Sequence, residues 1–392
     1  MEERTRAYLR GRFRDHYRRH PPELPPAPDA REWGFIPWTE GPGTTMVRHR
    51  SLLEIGDIGA FLQDKRPRHV YFSAGRYGDP GASAMSAKQW QGADLVFDLD
   101  ADHLPRVDPE TDDYATMLSV CKDALERLLS FVEDDFGFED VTVVFSGGRG
   151  YHVHVRDESV RELDREARRE IVEYVRPSGL ELDDVVTTRV AAGTIGRETP
   201  ADSPRLDTTG GWSRRVHQRL MSLVDEVRAA DEADALERLQ TFEGIGSGSS
   251  EKLREVFEDR YDEIAAGNID VHGRVKHLAR LLADETIERE AAPIDEPVTT
   301  DINRLIRLPG SLHGGSGLAV ARIERESLSD FDPLVDAIPE TFRGRDIAVE
   351  VTEGGAVELD GDSFTLADGT QSVPEQLGVF LMCRGRAEKE RE

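Results

Sequence analysis

Apolar side chains recur along this chain with two periods, and the alternation between them sets out its elements. Within residues 3–20, Leu9, Phe13 and Tyr17 stand four apart among many arginines, the pattern of an amphipathic helix. The Pro-rich run from Pro21 to Pro28 ends it. Residues 69–74 (HVYFSA) and 93–99 (ADLVFDL) are short apolar runs that predict buried strands. From Asp112 to Asp135 the spacing of Met117, Leu118, Cys121, Leu125, Leu128, Leu129 and Val132 returns to that of a helix. VTVVFS (141–146) and YHVHV (151–155), joined by GGRG, predict a hairpin, and Val160, Leu163, Ala167, Ile171 and Tyr174 predict a further helix. Strands interleaved with helices predict an α+β fold, a mixed or antiparallel sheet core flanked by helices.

Around Thr199–Gly211 the composition turns to Pro, Thr, Asp and Gly, and residues 212–286 then carry helical stripes alone. Val216, Leu220, Val224 and Val227 form one stripe; Leu253, Val256, Phe257, Tyr261 and Ile264 form a second. The expected organisation is a first α+β part over residues 1–203, a small all-α domain or insertion over 204–288, and a second α+β part over 289–345. A C-terminal β-rich segment with a charged, frayed tail is expected over 346–392, where EGG, DGD and ADG mark turns.

Composition narrows the setting. A chain of 392 residues is long enough for two or three cores, and two cysteines (Cys121 and Cys383) exclude a disulfide framework or an all-cysteine zinc site. No apolar run is long enough to span a membrane, and the charged N-terminus lacks a signal-peptide core, so a soluble intracellular protein is expected. The net charge is −27, and only six of the 50 basic side chains are lysine. This acidic, lysine-poor composition resembles that of proteins from salt-loving archaea. In molar salt the Debye length falls to about 3 Å and self-repulsion is screened. Net charge is then a poor guide to partners, because local arginine clusters can still hold phosphate.

Three groups of residues carry candidate chemistry. In ADLVFDLDAD, Asp98 and Asp100 are two apart on a strand and so share a face. In so acidic a chain roughly 15 such pairs arise by chance, so the spacing alone means little. Their place at the end of an apolar strand is what points to a cation, since paired buried carboxylates need one. In FSGGRGYHVHV the glycines allow a tight turn whose N–H groups converge on an anion. Ser146 and Arg149 add donors, and His152 and His154 share a face; an ordinary hairpin with wet histidines has the same pattern. In APIDEPVTTDINRLIRLPGSLHGG, Asp295 and Asp301 are candidate third carboxylates, Arg304 and Arg307 candidate phosphate contacts, and His313 sits in a Gly-rich turn. Together they suit a metal-dependent nucleotide polymeriser. Two Mg2+ or Mn2+ ions would be held by carboxylates and the triphosphate by the Ser/Arg/His turn.

At this point the residues resemble a known family, the catalytic small subunit of archaeal and eukaryotic-type DNA primase. The similar pieces are REWGF (31–35), MVRHRSL (46–52), VYFS (70–73), LVFDLDAD (95–102), DFGF (135–138), FSGGRGYHVHV (145–155) and RLIRLPGSLHG (304–314). The resemblance implies the primase catalytic fold over the two α+β parts, with residues 204–288 in the place of the family's variable helical domain. It implies that Asp98, Asp100 and Asp295 are the catalytic metal ligands, Asp295 lying 18 residues before His313. It further implies that Arg48, Ser146, Arg149, His152, Arg307 and His313 contact the nucleotide. His154 has no role in that pattern and is expected to be a supporting or solvated residue.

The family usually carries a zinc knuckle after the catalytic pair. Here that segment offers only His103 and Cys121, so no zinc is expected. The resemblance also implies Mg2+ or Mn2+ as cofactor, NTPs or dNTPs as substrates, a single-stranded DNA template, a primase large subunit as partner, and the archaeal cytosol as location. A repair polymerase of the same chemistry is the nearest alternative. A phosphatase using Asp98 as nucleophile is a poorer one, because it needs a later motif lysine.

Overall fold

The computed structural model describes residues 1–39, 45–105, 107–108, 111–189 and 203–391. By its packing the chain forms two compact units, one of residues 1–126, 138–172 and 293–392, the other of residues 127–137 and 173–292.

The first unit is built on two antiparallel sheets. One has the strand Leu305–Arg307 beside β3 (His69–Tyr77), then β1 (Arg31–Ile36) and β2 (Val47–Arg50), with β4 (Trp90–Ala93) also on β3. The other runs Ala321–Ile323, β6 (Val141–Phe145), β7 (Gly150–Val155), β5 (Leu95–Asp100). Ala74, Val96, Val298 and Ile306 form a core cluster drawing on both sheets. Burial of such aliphatic side chains is worth about 2 kcal/mol each. The helix α1 (Glu3–Arg19) buries Leu9, Phe13 and Tyr17 as its four-residue spacing requires.

Along β5 the pleat separates function from packing. Phe97 and Leu99 are fully buried, whereas Asp98 and Asp100 keep partial exposure on the opposite face. The start of the strand is pinned by Asp94, a fully buried carboxylate bonded to Arg31 at 2.8 Å, Arg76 at 3.1 Å and Arg156 at 3.2 Å. The Asp94 carbonyl also accepts from Arg168 at 3.0 Å. A buried carboxylate is tolerated because several guanidinium groups surround it.

Two C-terminal expectations are corrected. Residues Glu375–Cys383 form a buried helix rather than a strand or loop; its continuous apolar run has no period by which to tell helix from strand. The tail is not frayed up to residue 391: Ala387–Lys389 pairs with Asp346–Val351, and Glu388 bonds the N-terminal amine at 3.1 Å. Segment 346–391 belongs to the first unit rather than standing apart.

The second unit holds the helices Gly211–Ala229, Glu232–Gln240, Ser247–Asp259 and Gly273–Glu290. It is not purely helical, since Val186–Arg189 pairs with Ser203–Leu206. It also takes in residues 127–137 and resumes at residue 173 rather than 204. The reason is packing that composition does not reveal. Tyr174 and Trp212 both rest on Phe131, and Arg215 lies 3.9 Å over that ring while bonding Asp135 at 3.0 Å. Residues 199–202 of the expected boundary lie outside the described residues.

Candidate active site

The site forms in the first unit where β5, β7 and two later segments meet. The β5–β7 register sets Asp98 directly across from His152 and Asp100 across from Gly150. His152 Nε2 lies 3.5 Å from the Asp98 carboxylate. The backbone N–H of Asp295 donates to the Asp98 carbonyl at 2.9 Å, and Asp295 begins the short helix Glu296–Thr300. One strand thus carries two of the expected carboxylates and anchors the third.

A cleft of 300 Å3 opens beside them, lined in part by Arg48, Tyr71, Asp98, His152, Asp301 and Arg307. Arg307 stacks 5.8 Å over Tyr71, and its Nε has no partner among the described residues. Its charge reaches Asp98, His152, His69 and His313, depressing the histidines and partly offsetting the carboxylate. Even so, Asp98 is pushed up to about 6, by burial first and then by the Asp100 and Asp295 charges. Burial holds His152 down at about 3 and His313 well below the ordinary range, so both are neutral. The His313 Nδ1 lies 3.2 Å from the Ser316 hydroxyl and 3.3 Å from the Gly315 nitrogen, so its own turn orients the ring.

The glycine turn serves packing as much as anion binding. A Cβ on Gly150 would stand 1.8 Å from the Leu99 carbonyl, and one on Gly147, at φ +75°, would stand 2.7 Å from His313 Cβ. The glycines therefore let the 146–150 turn close on β5 and on the 313–317 turn. Ser146 is buried, and its hydroxyl accepts from the Gly148 N–H at 3.3 Å. Arg149 is half-exposed and ion-paired with Asp102, a partner that spacing did not suggest. Arg48 pairs at 2.9 Å with the buried Glu32, which Lys88 also approaches at 3.4 Å.

Some expectations change here. His154 is not solvated: it is fully buried, its ring is stacked on Phe72 at 6.0 Å, and neither nitrogen has a partner among the described residues. Both faces of β7 are covered, so alternation could not signal a wet side. Asp301 lines the cleft, whereas Asp100 and Asp295 are not part of that lining. His69, whose ring is 4.7 Å from His313, and Tyr71 were missed, although their i, i+2 spacing on β3 was the available signal. Cys121 is buried in the core, its thiol pushed up by burial, and its Sγ lies 3.6 Å from the Leu99 carbonyl.

Among the described residues, no three His, Cys, Asp or Glu side chains stand as a ready-made metal cage. The donor chemistry nevertheless fits a hard divalent cation. The Asp98 carboxyl is raised by burial first and then by the neighbouring Asp100 and Asp295 charges, a setting a cation would relieve, and carboxylate oxygens are the ligands Mg2+ and Mn2+ take.

Comparison with known proteins agrees with this geometry. The family model described as DNA primase small subunit matches residues 97–325. The chain is 64% identical over 392 residues to the DNA primase small subunit PriS of Haloarcula marismortui, covering all of both chains. It is 58% identical to that of Natronomonas pharaonis and 38% identical to that of Methanococcoides burtonii, with 99% of each chain covered.

Proposed function

The chain belongs to the DNA primase small-subunit family, and from that premise we propose that it synthesises short RNA or DNA primers on single-stranded DNA for replication, by nucleotidyl transfer. The observation that carries this reading is the pairing of Asp98 with His152 across β5 and β7, beside a cleft that Arg307 makes cationic.

Asp98, Asp100 and Asp295 would hold Mg2+ or Mn2+. When bound, such ions neutralise the triphosphate and lower the pKa of the attacking 3′-hydroxyl. The chain's own groups bind and orient. Arg307 and Arg48 present guanidinium edges to phosphate oxygens, and Arg149 does so on exchanging Asp102 for the nucleotide. Neutral His313 turns a ring nitrogen toward the nucleotide, and neutral His152 holds the Asp98 carboxylate in place. The overall change joins the 3′-oxygen to the α-phosphorus as the α–β phosphoanhydride bond breaks, releasing pyrophosphate and the hydroxyl proton.

A primase large subunit is the expected partner, NTPs or dNTPs the substrates, and the archaeal cytosol the location. No helix among the described residues is long and apolar enough to cross a membrane. The test is template-dependent incorporation of NTPs and dNTPs at high KCl with Mg2+ or Mn2+, comparing wild type with Asp98→Ala. Incorporation that survives Asp98→Ala overturns the assignment. Co-purification of a large subunit separates replication from gap filling.

A further inference from the structure

A second cavity, of 440 Å3, lies in the first unit and shares no lining residue with the catalytic cleft. Its wall includes Arg6, Trp38, Arg68, Cys383 and Arg384, and among the described residues it includes no acidic side chain. In a chain of net charge −27 that absence is informative.

Arg6 is neutralised by Glu3. Arg68 and Arg384 have no acidic partner among the described residues; aromatic faces hold them instead. The Arg68 guanidinium stands 5.8 Å over Trp38, and that of Arg384 stands 4.5 Å over Tyr114 and 5.6 Å over Phe380. Such stacking fixes a guanidinium while leaving its N–H edge for an anion. Among the described residues the Trp38 indole N–H also has no acceptor.

The cavity adjoins the nucleotide site through the 313–317 turn. Arg68 Nε donates to the Gly314 carbonyl at 3.4 Å, and Arg68 directly precedes His69, whose ring meets His313. Arg149 of the glycine turn lies close enough to act electrostatically on both His313 and Arg384. Cationic groups therefore continue from Arg307 past His313 to Arg68 and Arg384.

We propose that this cavity holds the phosphodiester backbone of a single strand of nucleic acid beside the catalytic cleft, with Arg68 and Arg384 on phosphate oxygens. The assignment rests on the polymerase reading above and places the strand within it. A strand fits better than a free phosphate or pyrophosphate, because the cavity exceeds the catalytic cleft in volume and Trp38 in its wall offers an aromatic surface to sugar or base.

The test uses the full chain with Arg68→Gln and Arg384→Gln, singly and together. Glutamine keeps the methylene stem that packs on Gly314, and circular dichroism melting checks the fold. Anisotropy of a labelled oligo-dT of about 20 nucleotides is followed across a KCl series, with binding of a fluorescent ATP analogue measured in parallel. In the double variant strand affinity should fall about tenfold. The slope of log K against log [KCl] should lose about 1.4, as two lost single-strand phosphate contacts require. ATP binding should stay within about twofold, and Arg68→Lys should recover part of the slope.

An unchanged slope and affinity in the double variant overturns the proposal. So does a loss of ATP affinity in place of strand affinity, which would give the cavity to the nucleotide's own phosphates. Templated incorporation by a wild type whose strand binding ignores both arginines sinks the cavity assignment alone. Strand binding that depends on them, without any templated incorporation, sinks the polymerase reading and leaves the cavity. A wild type that binds no strand overturns both.

Discussion

The backbone N–H of Asp295 donates to the carbonyl of Asp98 at 2.9 Å, so two carboxylates almost two hundred residues apart are joined through main chain. Because the tie is backbone to backbone, it survives changes of side chain. Asp295→Ala should therefore melt within a few degrees of wild type yet lose nucleotide incorporation by about 100-fold or more, the scale of a lost electrostatic contribution in such a site. Full activity in that variant, with Asp301→Ala inactive, would move the third carboxylate to Asp301.

Asp98 is held at a cost to the fold. Its carboxyl is raised from 3.8 to about 6, so the stability it contributes is fully present below 3.8 and is lost as pH rises through about 6. At pH 7 the ionised group costs up to about 3 kcal/mol in the absence of a cation. Asp98→Asn should raise the melting temperature of the metal-free protein at pH 7 while abolishing incorporation. Mn2+ should stabilise the wild type more than the variant; equal stabilisation would argue that Asp98 is not a ligand.

The histidines act with the opposite sign. His16 is lowered to about 4 and His152 to about 3, chiefly by burial, and His69, His154 and His313 are lowered well below 6.5 for the same reason. Each contributes stability that is present above 6.5 and is lost as pH falls toward its folded value. Five such groups outweigh the single opposing carboxyl of Asp98. Denaturant melts from pH 7 to pH 5 should thus show stability falling, by roughly 1.4 kcal/mol per pH unit for each uncompensated proton. A flat profile would mean these rings are hydrated in solution.

Gly150 tests the register that builds the site. An added methyl would meet the Leu99 carbonyl at 1.8 Å, so β5 and β7 cannot keep their pairing with alanine there. Gly150→Ala should cost about 3 kcal/mol, the upper range for overpacking, and should reduce incorporation even at temperatures where the variant remains folded. Gly148→Ala, which meets nothing nearer than His313 Nε2 at 3.3 Å, should cost far less stability.

What was legible in the residues follows physical rules that act locally. The helix over 3–19, the paired strands around the glycine turn and the shared face of Asp98 and Asp100 depend on period alone. The C-terminal helix was hidden because an uninterrupted apolar run has no period, and the unit boundary at 173 because aromatic packing on Phe131 leaves no mark in composition. The solvated alternative for His154 failed for a related reason: when both faces of a strand are covered, alternation no longer distinguishes inside from outside.

The order of residues by itself determined which side chains carry chemistry and which neighbours share a face, since both follow from covalent spacing along helix and strand. Only the tertiary structure decided that Asp295 hangs from Asp98, that Arg307 tunes a carboxylate and three histidines at once, and that Arg149 faces Asp102. Those relations depend on distance and burial between segments far apart in sequence, and the strength of a charge in a protein is set by what surrounds it rather than by what precedes it in the chain.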